Sequence, residues 1–119
     1  MVTYHIEKED NYGITQQYLW TFPKKSDENI QKIATKFLRR DARRGVRIYL
    51  VLPKSQTGLQ KMEYVGSVSY AWGAQHRPSK VWGFYKHDAP VLSAYHIWDS
   101  KSKKLVMIPY KEFFDKYVE

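Results

Sequence analysis

The 119-residue chain has the size of one domain, and its 43% hydrophobic content suits a packed core, while its net charge is +8. The absence of cysteine excludes disulfides, thiolate catalysis and cysteine-ligated zinc. No signal-peptide pattern opens the chain, and no stretch approaches the roughly 18 apolar residues of a membrane span. We therefore expect a single domain over residues 1–119, without membrane contact, in the cytoplasm of the source cell or of a host cell.

The N-terminal residues predict a β-hairpin. The segment VTYHIE (2–7) alternates apolar and polar residues as a half-buried strand does, and a turn follows at residues 11–13. In the next segment, QQYLWTF (16–22), the aromatic residues share one parity, and Pro23 ends the pattern. Two strands joined by a short turn are expected to pair.

A helix is predicted over about residues 27–44. Ser26 can act as its N-cap, and Asp27 and Glu28 then lie in the first turn, where the helix dipole favours negative charge. Gly45 suits the position after the C-cap, where a left-handed backbone is required. The apolar residues recur at helical spacing and form one face: Ile30, Ile33, Ala34, Phe37 and Leu38.

Five further segments have the pattern of strands: VRIYLVLP (46–53), KMEYVGSVSYAW (61–72), KVWGFYKHD (80–88), VLSAYHIW (91–98) and KLVMIP (104–109). The first is almost continuously apolar, which is typical of a central strand covered on both faces. The second has five apolar or aromatic residues of one parity: Met62, Tyr64, Val68, Tyr70 and Trp72.

The C-terminal segment PYKEFFDKYVE has the apolar spacing of a short helix that begins near Pro109. Hairpin-length connections dominate the chain, and parallel crossovers would need more helices. The predicted fold class is therefore α+β, with an antiparallel sheet of about five to seven strands packed against one amphipathic helix, about 27–44.

Positive charge is concentrated at the predicted helix. Residues 24–47 hold nine cations and three anions, so nine minus three leaves +6 in this stretch and +2 in the rest of the chain. On a helical wheel the cations lie opposite the apolar residues, and Arg47 was expected to prolong their row past Gly45. The predicted row consists of Lys32, Lys36, Arg39, Arg40, Arg43, Arg44 and Arg47.

Two explanations of this basic row compete. Cations are favourable in the last turn of a helix, and a soluble helix needs a charged side. However, the row begins well before the last turn, and like charges at i, i+4 repel each other. A one-sided field of this kind also attracts anions, and arginine suits phosphate and carboxylate groups. We therefore interpret the row as a binding surface.

A second cationic site is predicted in the loop over residues 73–80, at Arg77 and Lys80. Trp72 and Trp82 flank this loop, and rings interleaved with cations can bind single-stranded nucleic acid. The alternative is that these rings, with Tyr70 and Tyr85, belong to the core, as aromatic residues of strands usually do.

The four histidines, His5, His76, His87 and His96, lack the HxxxH or HxH spacing that favours metal binding. The pairs His87-Asp88 and His96…Asp99 could converge across a hairpin, which leaves a metal-dependent hydrolase as a weak third hypothesis. We expect no metal site, no cofactor and no catalytic residue.

The leading hypothesis is a small, non-enzymatic nucleic-acid-binding protein that places its basic helix on the phosphate backbone of DNA or RNA. The alternative is an inhibitor or adaptor, of the kind that phages and mobile elements encode, which binds an acidic surface of a protein or a ribonucleoprotein. Nothing in the sequence decides the oligomeric state, although an exposed edge strand such as VTYHIE (2–7) could pair across a dimer axis.

Overall fold

The chain forms one antiparallel sheet with a helix on each face. A computed structural model describes residues 1–10, 12–38, 45–72, 78–87 and 95–117. The elements are β1 (Val2–Glu9), β2 (Thr15–Phe22), α1 (Asp27–Phe37), β3 (Val46–Val51), β4 (Met62–Trp72), β5 (Pro78–Lys86), β6 (Tyr95–Asp99), β7 (Lys104–Ile108) and α2 (Tyr110–Tyr117). The seven strands lie in the order β2-β1-β3-β4-β5-β6-β7. The α+β prediction is confirmed, and the sheet is the larger part of the fold.

The larger core lies between α1 and one face of the sheet, which we call the helix face. Ile6, Ile33 and Ile48 are fully buried there, and burying such a side chain contributes roughly 1.5–3 kcal/mol. The same core includes residues from α1 and from five strands: Tyr4, Phe22, Ile30, Ala34, Phe37, Val46, Val68 and Phe84. The apolar stripe of α1 thus packs on the sheet as its spacing predicts.

On the opposite face, which we call the open face, α2 packs over β5, β6 and β7 within the described ranges. Phe113 of α2 is fully buried and stacks on Tyr95 of β6, with 4.2 Å between the ring centroids. Tyr95 also covers Gly83 of β5, where a Cβ atom would collide with its ring. The predicted start of α2 near Pro109 is confirmed, because Phe113 donates its backbone N–H to the Pro109 carbonyl. Neither helix within the described ranges has the length and apolar character needed to cross a membrane.

The predicted C-terminal boundary of α1 is wrong, because the helix ends at Phe37 rather than near residue 44. Leu38 has an extended backbone (φ −79°, ψ 110°) and donates its N–H to the Ala34 carbonyl. Leu38 is also the last large apolar side chain of the predicted helix, and short helices depend on burial of such side chains for stability. Residues 39–44, the rest of the predicted helix, lie outside the described residues.

The strand β3 lies inside the sheet as predicted, but within the described residues only its helix face is fully buried, contrary to the prediction that both faces are covered. Val46 and Ile48 are buried on the helix face, whereas Arg47 and Tyr49 lie on the open face and are half-buried. A short apolar run occurs both in strands that are buried on two faces and in strands that are buried on one face. The run alone therefore does not tell how many faces of β3 are buried.

A bulge in β4 changes the face on which its residues lie. Ile48 of β3 pairs with Gly66, but the next residue, Tyr49, pairs with Tyr64, so Val65 is the extra residue. Tyr64 therefore lies on the open face although it shares the parity of the buried Val68. The shared parity of Met62, Tyr64 and Val68 correctly predicts a strand but not a shared face.

Gly66 is required at this bulge, and replacing it is expected to destabilise the fold. Its φ is 154°, and a Cβ atom would collide with the carbonyl oxygen of Tyr85 and the ring of Phe84. We predict that Gly66→Ala lowers the free energy of unfolding by at least about 3 kcal/mol in urea denaturation.

The matched control for this variant is Gly58→Ala. Gly58 also has a positive φ, of 80°, but nothing lies within 4 Å of its added Cβ atom. Only backbone strain of about 1–2 kcal/mol is then expected. Equal losses of stability in the two variants would contradict the close packing at the bulge.

Candidate nucleic-acid interface

The N-terminal end of α1 is tied to both halves of the sheet. Asn29 is buried, and its Nδ2 donates to the Tyr4 hydroxyl at 3.3 Å and to the Lys24 carbonyl at 2.8 Å. The Asp27 carboxylate accepts the backbone N–H of Leu105 in β7 at 2.9 Å. These bonds satisfy buried polar groups and fix the rotation of α1, and with it the side that faces solvent.

The charges of α1 are separated along its axis. The Ser26 hydroxyl caps the helix by accepting the Glu28 N–H at 3.1 Å, and the helix's two acidic residues lie in its first turn. Lys32 and Lys36 are both exposed to solvent. The Lys36 ammonium lies 5.0 Å from the Trp20 ring of β2, within the range of a cation–π contact. The cationic end of α1 therefore lies beside β2.

The segment 39–44 carries four predicted site residues, Arg39, Arg40, Arg43 and Arg44, and lies outside the described residues. Both of its ends are located. It begins after Leu38, which is buried in the core, and ends before Gly45, which is buried against Val68. Gly45 has the predicted positive φ, at 80°, but the prediction that it follows the C-cap of α1 is wrong, because the C-cap is Leu38. Val46 then pairs with Lys8, near the end of β1. The described residues on either side of the four arginines, Leu38 and Gly45, are thus both buried in the fold.

Arg47 does not prolong the basic row of α1. It pairs in register with Glu7 on the open face, whereas the next residue, Ile48, is buried on the helix face. The sheet therefore separates Arg47 from Lys32 and Lys36. Its guanidinium also lies 3.9 Å from the Glu7 carboxylate, so an acidic neighbour partly offsets its charge.

The open face carries a cluster that the sequence analysis missed. The Glu7 carboxylate lies 3.8 Å from His5 Nε2, and the rings of His5 and Tyr49 are 5.7 Å apart. Tyr49 is 5.2 Å from Tyr64, and Tyr64 is 5.2 Å from His87. The alternation of residues in β1 could have shown that His5 and Glu7 share a face of the sheet. No sequence pattern reports the bulge that brings Tyr64 to the same face. Burial, together with the Glu7 carboxylate, raises the pKa of Tyr49.

Removing the Glu7 charge is expected to lower the pKa of Tyr49. We predict that Glu7→Gln shifts part of the tyrosinate absorbance to lower pH, and that Glu63→Gln, an exposed control, does not. Since the fold raises this pKa, the associated stability is present below the ordinary tyrosine pKa of about 10 and is lost as pH rises through the folded value. Identical titration curves for wild type and Glu7→Gln would contradict the assigned contact.

The second predicted site is located only in part. Arg77 lies outside the described residues, and Lys80 is placed by its backbone in β5. Trp82 packs against the core of the helix face, and Tyr85 packs beside Tyr95 under α2. For these two rings the alternative explanation, a role in the core, is confirmed.

The described histidines do not form a metal centre. Asp99 closes the turn after β6, because its carboxylate accepts the Ser102 hydroxyl and the Lys101 N–H. These bonds lower the pKa of Asp99. Across the described part of the chain, no group of three His, Asp or Glu side chains could hold a metal ion.

A cleft of about 390 Å³ lies between the start of α1 and the helix face. Lys25 and Lys86 line it, but so do Asp27 and Glu63, so neither sign of charge prevails. The rest of its lining is largely apolar or aromatic: Tyr4, Ile30, Leu50, Val65, Phe84 and Leu105. The cleft has no evident preference for an anionic ligand, in contrast to the solvent side of α1.

Comparison with known proteins gives no family: no family model, no curated protein and no solved structure matches the chain. The function is therefore inferred from the charge and geometry of the surfaces described above.

Proposed function

We propose that the chain is a small, non-enzymatic cytoplasmic protein, of its own cell or of a host cell, that binds the phosphate backbone of DNA or RNA. Its contact surface is the solvent side of α1 together with the segment 39–44. One observation carries the proposal: Lys32 and Lys36 are exposed on α1, and the six residues that follow Leu38 in the sequence include four arginines. We call this surface the basic surface.

The electrostatics of the basic surface support this proposal. Asp27 is held at the opposite end of α1 by its bond to Leu105, so it does not neutralise the cations. Asp41 is the one acidic residue between Lys36 and Arg47. Several cations on one surface displace counterions from a phosphate backbone, and this release drives binding without reading base sequence. The placement of Arg47 removes it from this contact surface.

The proposal predicts how each lysine affects the salt dependence of binding. The logarithm of affinity for duplex DNA should fall linearly with the logarithm of salt concentration, with a slope of about −0.9 per neutralised phosphate. Lys32→Ala/Lys36→Ala should therefore make the slope shallower by about 2 × 0.9 = 1.8. Fluorescence anisotropy with a labelled duplex at several salt concentrations measures this change.

Two controls accompany this measurement. Lys54→Ala/Lys61→Ala removes the same charge from exposed residues of the loop after β3, at the far end of that strand from Arg47, and should leave the slope unchanged. Arg47→Ala should also leave the slope unchanged, because the sheet separates Arg47 from the basic surface. A uniform effect of all three variants would show non-specific attraction to net charge rather than docking of α1.

The four arginines provide the stronger perturbation. Replacing Arg39, Arg40, Arg43 and Arg44 with alanine should reduce binding to DNA and RNA duplexes while circular dichroism shows an unchanged fold. Absence of wild-type binding in low salt to both nucleic acids overturns the proposal. If the same variant instead loses a co-purifying protein after nuclease treatment, the basic surface binds an acidic protein partner.

A further inference from the structure

The two edges of the sheet, β2 and β7, differ in how they are protected against pairing with another strand. A strand at a sheet edge presents unpaired N–H and C=O groups, and proteins usually shield them with short strands, lysines or a covering element. β2 has eight residues and β7 has five. The comparison between them shows which edge is available.

β7 carries several of these protective features. It begins at Lys104, directly after a turn that contains Lys101 and Lys103. The backbone N–H of Leu105, which points away from β6, is bonded to the Asp27 carboxylate of α1. A neighbouring chain would have to displace this bond and approach several cations.

Within the described residues, β2 has no lysine of its own and no backbone bond to a covering element, although Lys36 of α1 lies over its Trp20 ring. It pairs with β1 through eight consecutive residues without a bulge, and residues 11–23 contain no Lys, Arg, Asp, Glu or His. The backbone N–H of Asp10 donates to the Ile14 carbonyl, so Ile14 faces β1. In an antiparallel pair every second residue forms such bonds, and the residues between them point their N–H and C=O groups away from the partner strand. On β2 these outward-facing residues are Thr15, Gln17, Leu19 and Thr21. Within the described residues, none of these four has another backbone partner.

The side chains around β2 add an apolar surface to this bare edge. Leu19 is 70% exposed and Tyr18 is 38% exposed, and the neighbouring turn exposes Tyr12 and Ile14. Such a long, uncharged, partly apolar edge strand is a template for strand pairing. Because residues 11–23 carry no charge, this edge does not favour a partner strand of opposite charge.

We propose that β2 pairs with β2 of a second copy of this chain, antiparallel across a two-fold axis, to form one continuous sheet from two seven-stranded sheets. With Tyr18 opposite the same residue of the second copy, Gln17 lies opposite Leu19 and Thr15 opposite Thr21. All four outward-facing residues of each copy then exchange backbone bonds with the other copy. A copy supplies a strand that is equally free of charged residues, so no like charges lie opposite each other along the two paired strands.

This arrangement has an electrostatic consequence. A two-fold axis perpendicular to the sheet keeps both α1 helices on the same face, and Phe37 of α1 lies 4.7 Å from Tyr18 of β2. The cationic ends of both helices therefore lie beside the interface and repel each other. Salt should strengthen the dimer by screening this repulsion, while salt weakens binding to nucleic acid. The dimer does not depend on the proposed function, and the two opposite salt effects keep their tests separate.

Sedimentation equilibrium of the purified protein tests the proposal. Wild type should show a concentration-dependent shift from the 14.2 kDa chain to twice that mass. Leu19→Lys introduces a charge at the exposed centre of β2 and should raise the dimer dissociation constant by about tenfold or more. Met107→Lys is the matched control, since Met107 is 59% exposed on β7, and it should leave the dissociation constant unchanged.

A second variant tests backbone pairing directly. Gln17→Pro removes an outward-facing N–H group without adding charge, and an edge strand tolerates proline at such a position. It should also weaken the dimer, with circular dichroism as the check on its fold. A wild-type protein that stays at the mass of one chain up to near-millimolar concentration overturns the proposal. So does a dimer that Leu19→Lys leaves intact or that Met107→Lys disrupts.

Discussion

The contact between the apolar stripe of α1 and the helix face of the sheet determines which surfaces the protein can use. Ile33, Ala34 and Phe37 are buried in this contact, whereas Lys32 and Lys36 of the same helix are exposed to solvent. Because side chains alternate along each strand, burying one face directs the intervening residues to the other. The same contact therefore creates two separate surfaces with different chemistry.

These two surfaces differ in how their charges are balanced. On the open face Arg47 lies near Glu7, within a cluster of histidine and tyrosine rings. On α1, Asp27 and Glu28 lie in the first turn, and the lysines lie nearer the C-terminal end. The sequence that follows α1 is rich in arginine. Between Lys32 and Arg44 the sequence has six Lys and Arg residues and one Asp, so cations outnumber anions there. This excess is why we place the proposed phosphate contact on this part of the chain.

Much of the fold could be predicted because local patterns report local structure. The seven strand segments, the Ser26 cap and the buried stripe of α1 follow from alternation, capping and helical spacing. The errors arose where tertiary contacts decide. The end of α1 depends on burial of Leu38, and the face of Tyr64 depends on the bulge at Val65, and neither is encoded in a periodicity.

The site was harder to predict than the fold, because a helical wheel assumes that the helix continues. The helical wheel was extended past Leu38 to assign a side of the helix to the four arginines of residues 39–44. Because α1 ends at Phe37, helical angles do not apply to these residues. Arg47 was assigned to the same row, although its neighbours Val46 and Ile48 are apolar and alternate with it. That alternation was the available signal that Arg47 faces away from α1. What remains of the prediction is the concentration of charge between Lys32 and Gly45.

Lysine-modification footprinting tests the proposed contact most directly. The protein is acetylated with and without a short DNA or RNA duplex in low salt, and modification at each lysine is measured by mass spectrometry. We expect the duplex to protect Lys32 and Lys36 and to leave Lys54 and Lys61 as reactive as in the unbound protein. Binding that protects Lys54 and Lys61 but not the two lysines of α1 would contradict the assignment of the basic surface.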